Sequence, residues 1–272
     1  MTDLRDRWET AADPGRRIGH AVEVHESIGS TNDRARARLA QPGGEGVAIL
    51  AEEQTAGRGR HGRTWTSPPG RNLTVSLALR PALPATSAWM LSAAAALALR
   101  EACHEAVGSG ALRVGLKWPN DLVAPDGRKV AGILTETVVS GDRLAQAVIG
   151  SGVNVNWPRA EMPPEIAERA ASLVELAGAP VDRVRLLGAY LAALERWILA
   201  LEAGSSPLEA YRAASWLDGR MVRVAVAGEA LDGRVVGIGA DGALLIDRAG
   251  VRTRVGHGEV LRVVPDAAAV LR

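Results

Sequence analysis

The segment Gly57-Arg58-Gly59-Arg60-His61-Gly62-Arg63-Thr64-Trp65 sets three guanidinium groups among three glycines and ends on an indole. Such a stretch suits an anion, because arginine forks donate paired hydrogen bonds and glycine backbone leaves its N–H groups uncovered. Trp65 adds a flat face on which a base can stack. The segment follows an apolar run at 47–51 and leaves through Ser67-Pro68-Pro69-Gly70, so neither flank continues it as a helix and a cationic loop is expected. Its G-x-G-x-x-G spacing matches dinucleotide-binding turns. In those turns, however, the third glycine opens a helix, whereas two prolines follow here, and the Rossmann reading is rejected.

Lysine is the second signal. Of 32 cationic residues only Lys117 and Lys129 are lysines, twelve positions apart in one motif-dense region, where a compact ammonium does what a planar fork cannot. Lys117 opens Lys117-Trp118-Pro119-Asn120-Asp121-Leu122, in which the proline turns the chain and leaves a polar pair at a strand end. Ser30-Thr31-Asn32-Asp33 reads as a helix start with Ser30 as N-cap, a place that also offers donors and acceptors to a polar ligand. In Gly150-Ser151-Gly152-Val153-Asn154-Val155-Asn156 the glycines admit close backbone approach, and the alternation puts Asn154 and Asn156 on one face. Neither lysine is followed by Ser or Thr, so no phosphate loop of the Walker type is present.

The background narrows the ligand. Net charge is +1 over 272 residues with 47% hydrophobic content, which suits a globular chain of one large and one small domain rather than the broadly basic field of a nucleic-acid binder. No uncharged apolar run approaches the ~18 residues of a membrane span, the first twenty residues lack a signal-peptide core, and a cytoplasmic location is expected. The lone Cys103 can form no internal disulfide and sits in a helical pattern beside His104, which points about 100° away; a Cys-His nucleophile is not expected.

Several elements must position these groups. Strands are expected at 21–25, 47–53, 73–80, 113–118, 122–124, 129–137 and 144–149, and helices at 32–39, 87–107 and 207–214. A further helix, capped by Asp182, carries Val184, Leu187, Leu191, Leu194, Ile198 and Leu201 as a stripe expected against a sheet. From Asp218 the pattern changes to five short strands in about 50 residues, which suggests a small barrel.

Taken in order, Ser30-Thr31-Asn32, Gln54 with GRGRHGRTW, KWPNDL, GRKVAGILTE and GSGVNVN resemble the biotin-protein ligases, from about Val22 to the end of the chain. The resemblance implies an α+β fold, with a central mixed β-sheet flanked by helices in the manner of class II synthetases and an SH3-like β-barrel behind it. It implies a catalytic domain at 1–216 and the barrel at 217–272. It also implies two half-reactions: biotin and MgATP give biotinyl-5′-adenylate and pyrophosphate, and a lysine of a biotin carboxyl carrier domain of an acetyl-CoA or related acyl-CoA carboxylase then takes the biotinyl group. On that resemblance Ser30, Thr31, Asn32, Gln54, Arg58, Gly59 and Arg60 contact biotin, and Arg60 and Arg63 hold phosphate. Trp65 packs on adenine, Asn120 and Asn154 contact the nucleotide, and Lys129 reaches both the biotin carboxylate and the α-phosphate. Asp121 is the candidate to orient or deprotonate the acceptor amine.

Magnesium enters with ATP; no residue is assigned as a metal ligand, and no tightly bound cofactor, nucleic acid or membrane partner is expected. About twenty residues precede the first strand, too few for the helix-turn-helix of family members that repress transcription, so operator binding is not expected. Homodimerisation is compatible with the sequence. A lipoate-protein ligase is the nearest rival and a noncatalytic nucleic-acid binder the rival from another class; the arginine loop with KWPND favours biotin over the first, and the balanced charge disfavours the second. His61 is read as a solvated loop residue.

Overall fold

The computed structural model describes residues 4–108, 112–226 and 228–264. In chain order these form α1 (Leu4–Glu9), β1 (Val22–Ile28), α2 (Thr31–Leu39), β2 (Ala48–Gln54), β3 (Leu73–Leu79), α3 (Ala88–Val107), β4 (Gly115–Lys117), β5 (Asp121–Val123), β6 (Lys129–Ser140) and β7 (Arg143–Val153). There follow α4 (Pro164–Ala167), α5 (Leu173–Ala177), α6 (Arg183–Glu202), α7 (Leu208–Ala213), β8 (Met221–Val226), β9 (Glu229–Ile238), β10 (Leu244–Arg248), β11 (Val251–Val255) and β12 (Glu259–Val263). The first seven strands make one sheet in the order β1-β2-β3-β7-β6-β5-β4. Only β1 and β2 run parallel; every other pair is antiparallel, so the sheet is mixed, as expected.

Strand alternation decides which face of this sheet becomes a core and which a site. Along β3, Leu73, Val75, Leu77 and Leu79 join the main core, whereas Thr74, Ser76 and Ala78 point to the opposite face. Along β7, Ile149 and Val153 face the core while Val148, Gly150 and Gly152 take the other side. The core face is covered by α3 and α6. α3 is alanine- and leucine-rich and stops at Gly108, whose φ of 67° continues the chain in the left-handed region. The Asp182 carboxylate accepts from the N–H groups of Val184 at 2.9 Å and Arg185 at 3.2 Å, which caps α6 as the sequence predicts. The α6 stripe packs chiefly on α3 rather than on the sheet, which it touches where Tyr190 shares a 2.8 Å hydrogen bond with Ser151. On the other face α2 covers only one end, where Ala35 and Leu39 meet Ile49, Ala78 and Val148. The rest of that face is left open.

One buried carboxylate ties three distant segments together. Glu52 accepts from Trp8 Nε1 at 3.1 Å, from the backbone N–H of Gly70 at 2.9 Å and from Arg183 at 2.8 Å. Arg183 in turn lies 5.1 Å from the Trp8 ring centroid and donates to the Asn72 carbonyl.

The five C-terminal strands correct an expectation. They form a separate antiparallel sheet in the order β11-β10-β9-β8-β12, and it is not closed into a barrel: β11 and β12 stand at opposite edges and share no ladder. Closure requires the two edge strands to run side by side in register. Residues 256–258 instead carry the chain directly from one edge to the other, and a register shift between Val260 and Arg262 bends β12 along β8. This sheet docks on the larger one through Trp118 Nε1, which donates to the Gly242 carbonyl at 2.9 Å, and through Arg212, which donates to the Ile238 carbonyl. Gly242, with φ 80°, lies directly under the Trp89 ring, where a Cβ would come within 2.6 Å of the indole.

Candidate functional site

The uncovered face of the large sheet is the floor of a cavity of about 980 Å³. Two cross-strand rows make that floor: Thr74, Gly152 and Gly132, then Ser76, Gly150 and Leu134. Glycine here is a matter of space. A Cβ on Gly150 would lie 2.1 Å from Asn32 Oδ1, and one on Gly152 would lie 2.4 Å from the Trp65 ring. The close approach read from the GSG sequence is therefore real at both positions.

At the α2 end the lining is neutral and, apart from the half-buried Gln54, buried. The Gln54 side-chain oxygen accepts from the Thr31 N–H at 2.8 Å and faces the Thr31 hydroxyl at 2.9 Å. Ser76 Oγ lies 2.7 Å from both Thr31 Oγ1 and Asn32 Oδ1, and Asn32 Nδ2 donates to Glu136 at 2.7 Å. Two hydroxyl protons thus serve three oxygen–oxygen contacts, which leaves one contact that a ligand N–H would relieve. Ser30 holds the N-cap position, but its side chain makes no capping bond. Ser30, Thr31, Asn32 and Gln54 are accordingly brought together as the sequence anticipates.

The other walls are cationic. The arginine segment forms a short 3₁₀ turn at Arg60–Gly62, with His61 exposed at φ 57°, and no helix opens there. Gly59 N–H donates to the Arg63 carbonyl at 2.7 Å, closing the loop on itself. Arg58 makes a two-pronged ion pair with Asp33 at 2.6 and 2.7 Å; that hydrogen bonding lowers the Asp33 pKa and raises that of Arg58. Arg60 Nη1 donates to Asn120 Oδ1 at 3.2 Å, and burial lowers its pKa. Arg63 reaches across to Glu259 at 2.5 Å, so a wall of the cavity comes from β12. Lys129 Nζ is 2.8 Å from Asp121 Oδ1 and 5.7 Å from the centroid of Trp65, whose ring leans on Gly152.

Two expected nucleotide contacts are already engaged inside the protein. Asn120 Nδ2 donates to the Ile133 carbonyl while its oxygen holds Arg60, so this amide aims the guanidinium. Asn154 Nδ2 donates to the carbonyls of Lys129 at 3.2 Å and Ala171 at 3.3 Å. Asn156 exchanges two hydrogen bonds with the Val181 backbone and, unlike Asn154, does not line the cavity. Cys103 is fully buried, its thiol pKa raised to about 12 by burial, and it lies apart from the cavity.

Sequence reading passed over Ser76, Thr74, Glu136 and Glu259. The polar pair at alternate positions in Leu73–Leu79 was the signal for the first two, since polar side chains on one face of an apolar strand need a reason. Thr74 Oγ1 and Trp65 Nε1 are buried without a partner among the described residues. No group of three or more His, Cys, Asp or Glu side chains among the described residues is arranged to hold a metal ion. Nor does any described helix have the length and apolarity to cross a membrane.

Residues 24–154 match the biotin/lipoate A/B protein ligase family. The chain is 36% identical to the biotin--[acetyl-CoA-carboxylase] ligase of Mycobacterium tuberculosis, over 96% of this chain and 94% of that protein. It is 32% identical to the bifunctional ligase/repressor BirA of Bacillus subtilis, over 85% of this chain and 70% of that one. The biotin protein ligase from Aquifex aeolicus in complex with biotin and ATP superposes with a TM-score of 0.74 at 28% identity, over 88% of this chain and 96% of that one. A glycine-floored trough with a neutral hydrogen-bonding end and a cationic end thus occurs in a chain aligned almost throughout with such enzymes, and the chain belongs to the biotin/lipoate A/B protein ligase family, among its biotin-protein ligases.

Proposed function

We propose that this trough performs ATP-dependent biotin ligation: biotinyl-5′-adenylate forms first, and the biotinyl group then passes to a lysine of a carrier domain. The observation that carries this reading is the division of one cavity into a neutral, largely buried network at Thr31, Asn32, Gln54 and Ser76 and a row of cations at Arg58, Arg60, Arg63 and Lys129. A ureido ring has N–H donors and a carbonyl acceptor, which suit the neutral end with Ser30 and Gly59 at its margin; a carboxylate and a triphosphate suit the other.

In the first step a biotin carboxylate oxygen bonds to the α-phosphorus, the bond from that phosphorus to the bridging oxygen breaks, and pyrophosphate leaves with the electron pair. Both reactants are anions, so catalysis is chiefly cation placement. Lys129, free to swing from Asp121, is assigned to the carboxylate and α-phosphate, Arg60 and Arg63 to phosphate oxygens, and Arg58 to the biotin side of the loop. Trp65 is assigned to adenine, while Asn120 and Asn154 act by fixing Arg60 and the Lys129 backbone. Magnesium arrives as part of the nucleotide. In the second step the acceptor amine attacks the acyl carbon, AMP leaves, and the amine proton passes to Asp121. Residues 1–216 would carry this chemistry and 217–272 would contribute the β12 wall. The acceptor would be the biotin carboxyl carrier domain of acetyl-CoA carboxylase or a related acyl-CoA carboxylase, in the cytoplasm.

Biotin-dependent exchange of labelled pyrophosphate into ATP tests the first step. Mass spectrometry of a carrier domain incubated with the chain, biotin, ATP and magnesium tests the second. A chain that exchanges no label and leaves the carrier unmodified sinks the reading. Lipoate in place of biotin should support neither.

A further inference from the structure

The cations that line the cavity can be sorted by what neutralises them. Arg58 faces Asp33, Arg63 faces Glu259, Lys129 faces Asp121, and Arg128 faces Asp126 and Glu175. Arg169 is exposed to solvent. Two remain: Arg60 has only the neutral amide of Asn120, and the Lys117 ammonium makes no hydrogen bond or ion pair among the described residues. A positive charge withdrawn from water without a counter-ion is costly. Burial accordingly lowers the pKa of both groups, although Asp121 and Glu259 act in the opposite direction on both. A site that tolerates this cost is prepared for an anion.

Position says which anion. The neutral end is built from α2 and β2, whereas Lys117 ends β4, the strand at the opposite edge of the sheet. Lys129 begins β6, two strands inward from β4, each step being about 4.8 Å. The adenine platform, Trp65, stands over Gly152 on β7, so the base does not need the β4 side. Glu259, Val260 and Leu261 wall the cavity, and Glu259 acts electrostatically on Lys117. Resting on the reading that carboxylate and α-phosphate meet at Lys129, we propose that Lys117 holds the β- and γ-phosphates of ATP, that is, the departing pyrophosphate. As the bond between the α-phosphorus and the bridging oxygen breaks, the electron pair settles on that oxygen beside the ammonium. No other co-reactant is required. Apart from Lys129, every other cationic side chain of this sequence is an arginine. A point charge with three rotatable donors can follow the pyrophosphate as it separates, which a rigid fork cannot do as well.

The test uses the full chain with Lys117→Met, which keeps the stem and removes the charge, and Lys117→Arg, which restores charge in another shape. Pyrophosphate exchange with biotin and ATP should fall about 10²-fold in the Met variant and recover in part with Arg. Transfer to a carrier domain from pre-made biotinyl-5′-adenylate, a substrate without pyrophosphate, should fall at least tenfold less than exchange does. Equal losses in both assays, losses that follow a lowered Tm, or no loss in exchange each overturn the assignment. Absence of exchange in the unaltered chain would instead overturn the proposed function itself.

Discussion

The two ends of the trough are built by opposite means. At the neutral end Ser76 is fully buried and Thr31 is 2% exposed, and Thr31, Asn32, Gln54 and Ser76 are linked to one another by short contacts between α2, β2 and β3. At the cationic end the Arg63 side chain is 64% exposed and that of Lys129 37%, and most of the charges lean on acids that they can leave. A preformed network of short neutral hydrogen bonds discriminates between ligands, because a molecule lacking the matching groups strands buried atoms. Exposed ion pairs discriminate little and are weak, so they can be exchanged for a phosphate at small cost. On the proposed reading, one end would recognise and the other react.

That contrast can be broken from either side. The largest effect is expected from Lys129→Ala, which should lower biotin-dependent pyrophosphate exchange by about 10² to 10³, the magnitude of losing one preorganised charge contact; unchanged exchange would remove Lys129 from the chemistry. Ser76→Ala attacks the recognising end. It should raise the KM for biotin on the order of tenfold with kcat little changed, and lower unfolding free energy by about 1–3 kcal/mol, because Thr31 and Asn32 lose a buried partner; steady-state kinetics and urea unfolding read both. Gly152→Ala sharpens the boundary between the ends. Its methyl group would displace the Trp65 ring and raise the KM for ATP several-fold while leaving the KM for biotin unchanged.

Asp33→Asn should do least, costing under about 1 kcal/mol, because its pair with Arg58 is exposed on both sides. The pH dependence has a definite sign. The folded pKa of Asp33 lies below the ordinary 3.8, so the pair stabilises the fold above that value and the contribution is lost as pH falls through the lowered pKa. Acid unfolding of the Asn variant should lack this component.

Much of the trough was legible in the chain because its parts are local. The Ser-Thr-Asn start of α2, the glycine and arginine loop, the Lys129 strand and the GSG segment each announce themselves within ten residues, and the structure brings them to one cavity. What escaped is what only assembly supplies. Glu259 lies 196 residues from Arg63, and nothing in its surroundings marks it as a wall of the cavity. Asn120 and Asn154, which the resemblance assigns to the nucleotide, also bond backbone carbonyls inside the protein, a second use that an amide at a strand end does not announce. The barrel failed for a related reason: alternation identifies five short strands but carries no information on whether the outermost two meet.

The carboxylate of Glu52 sets a limit on how this enzyme can move. Just before the arginine segment, Thr55 and Ala56 are hydrogen-bonded to the Ile28 and Gly29 carbonyls, and just after it Gly70 is fastened to Glu52, which is itself clamped by Trp8 and Arg183. With both abutments bolted, the stretch between would act as a drawbridge: it would rise or settle over a newly made acyl phosphate while its footings stay put. Substrate arrival should therefore reshape some thirteen residues (57–69) while hydrogen exchange at α6 and α1 stays unchanged.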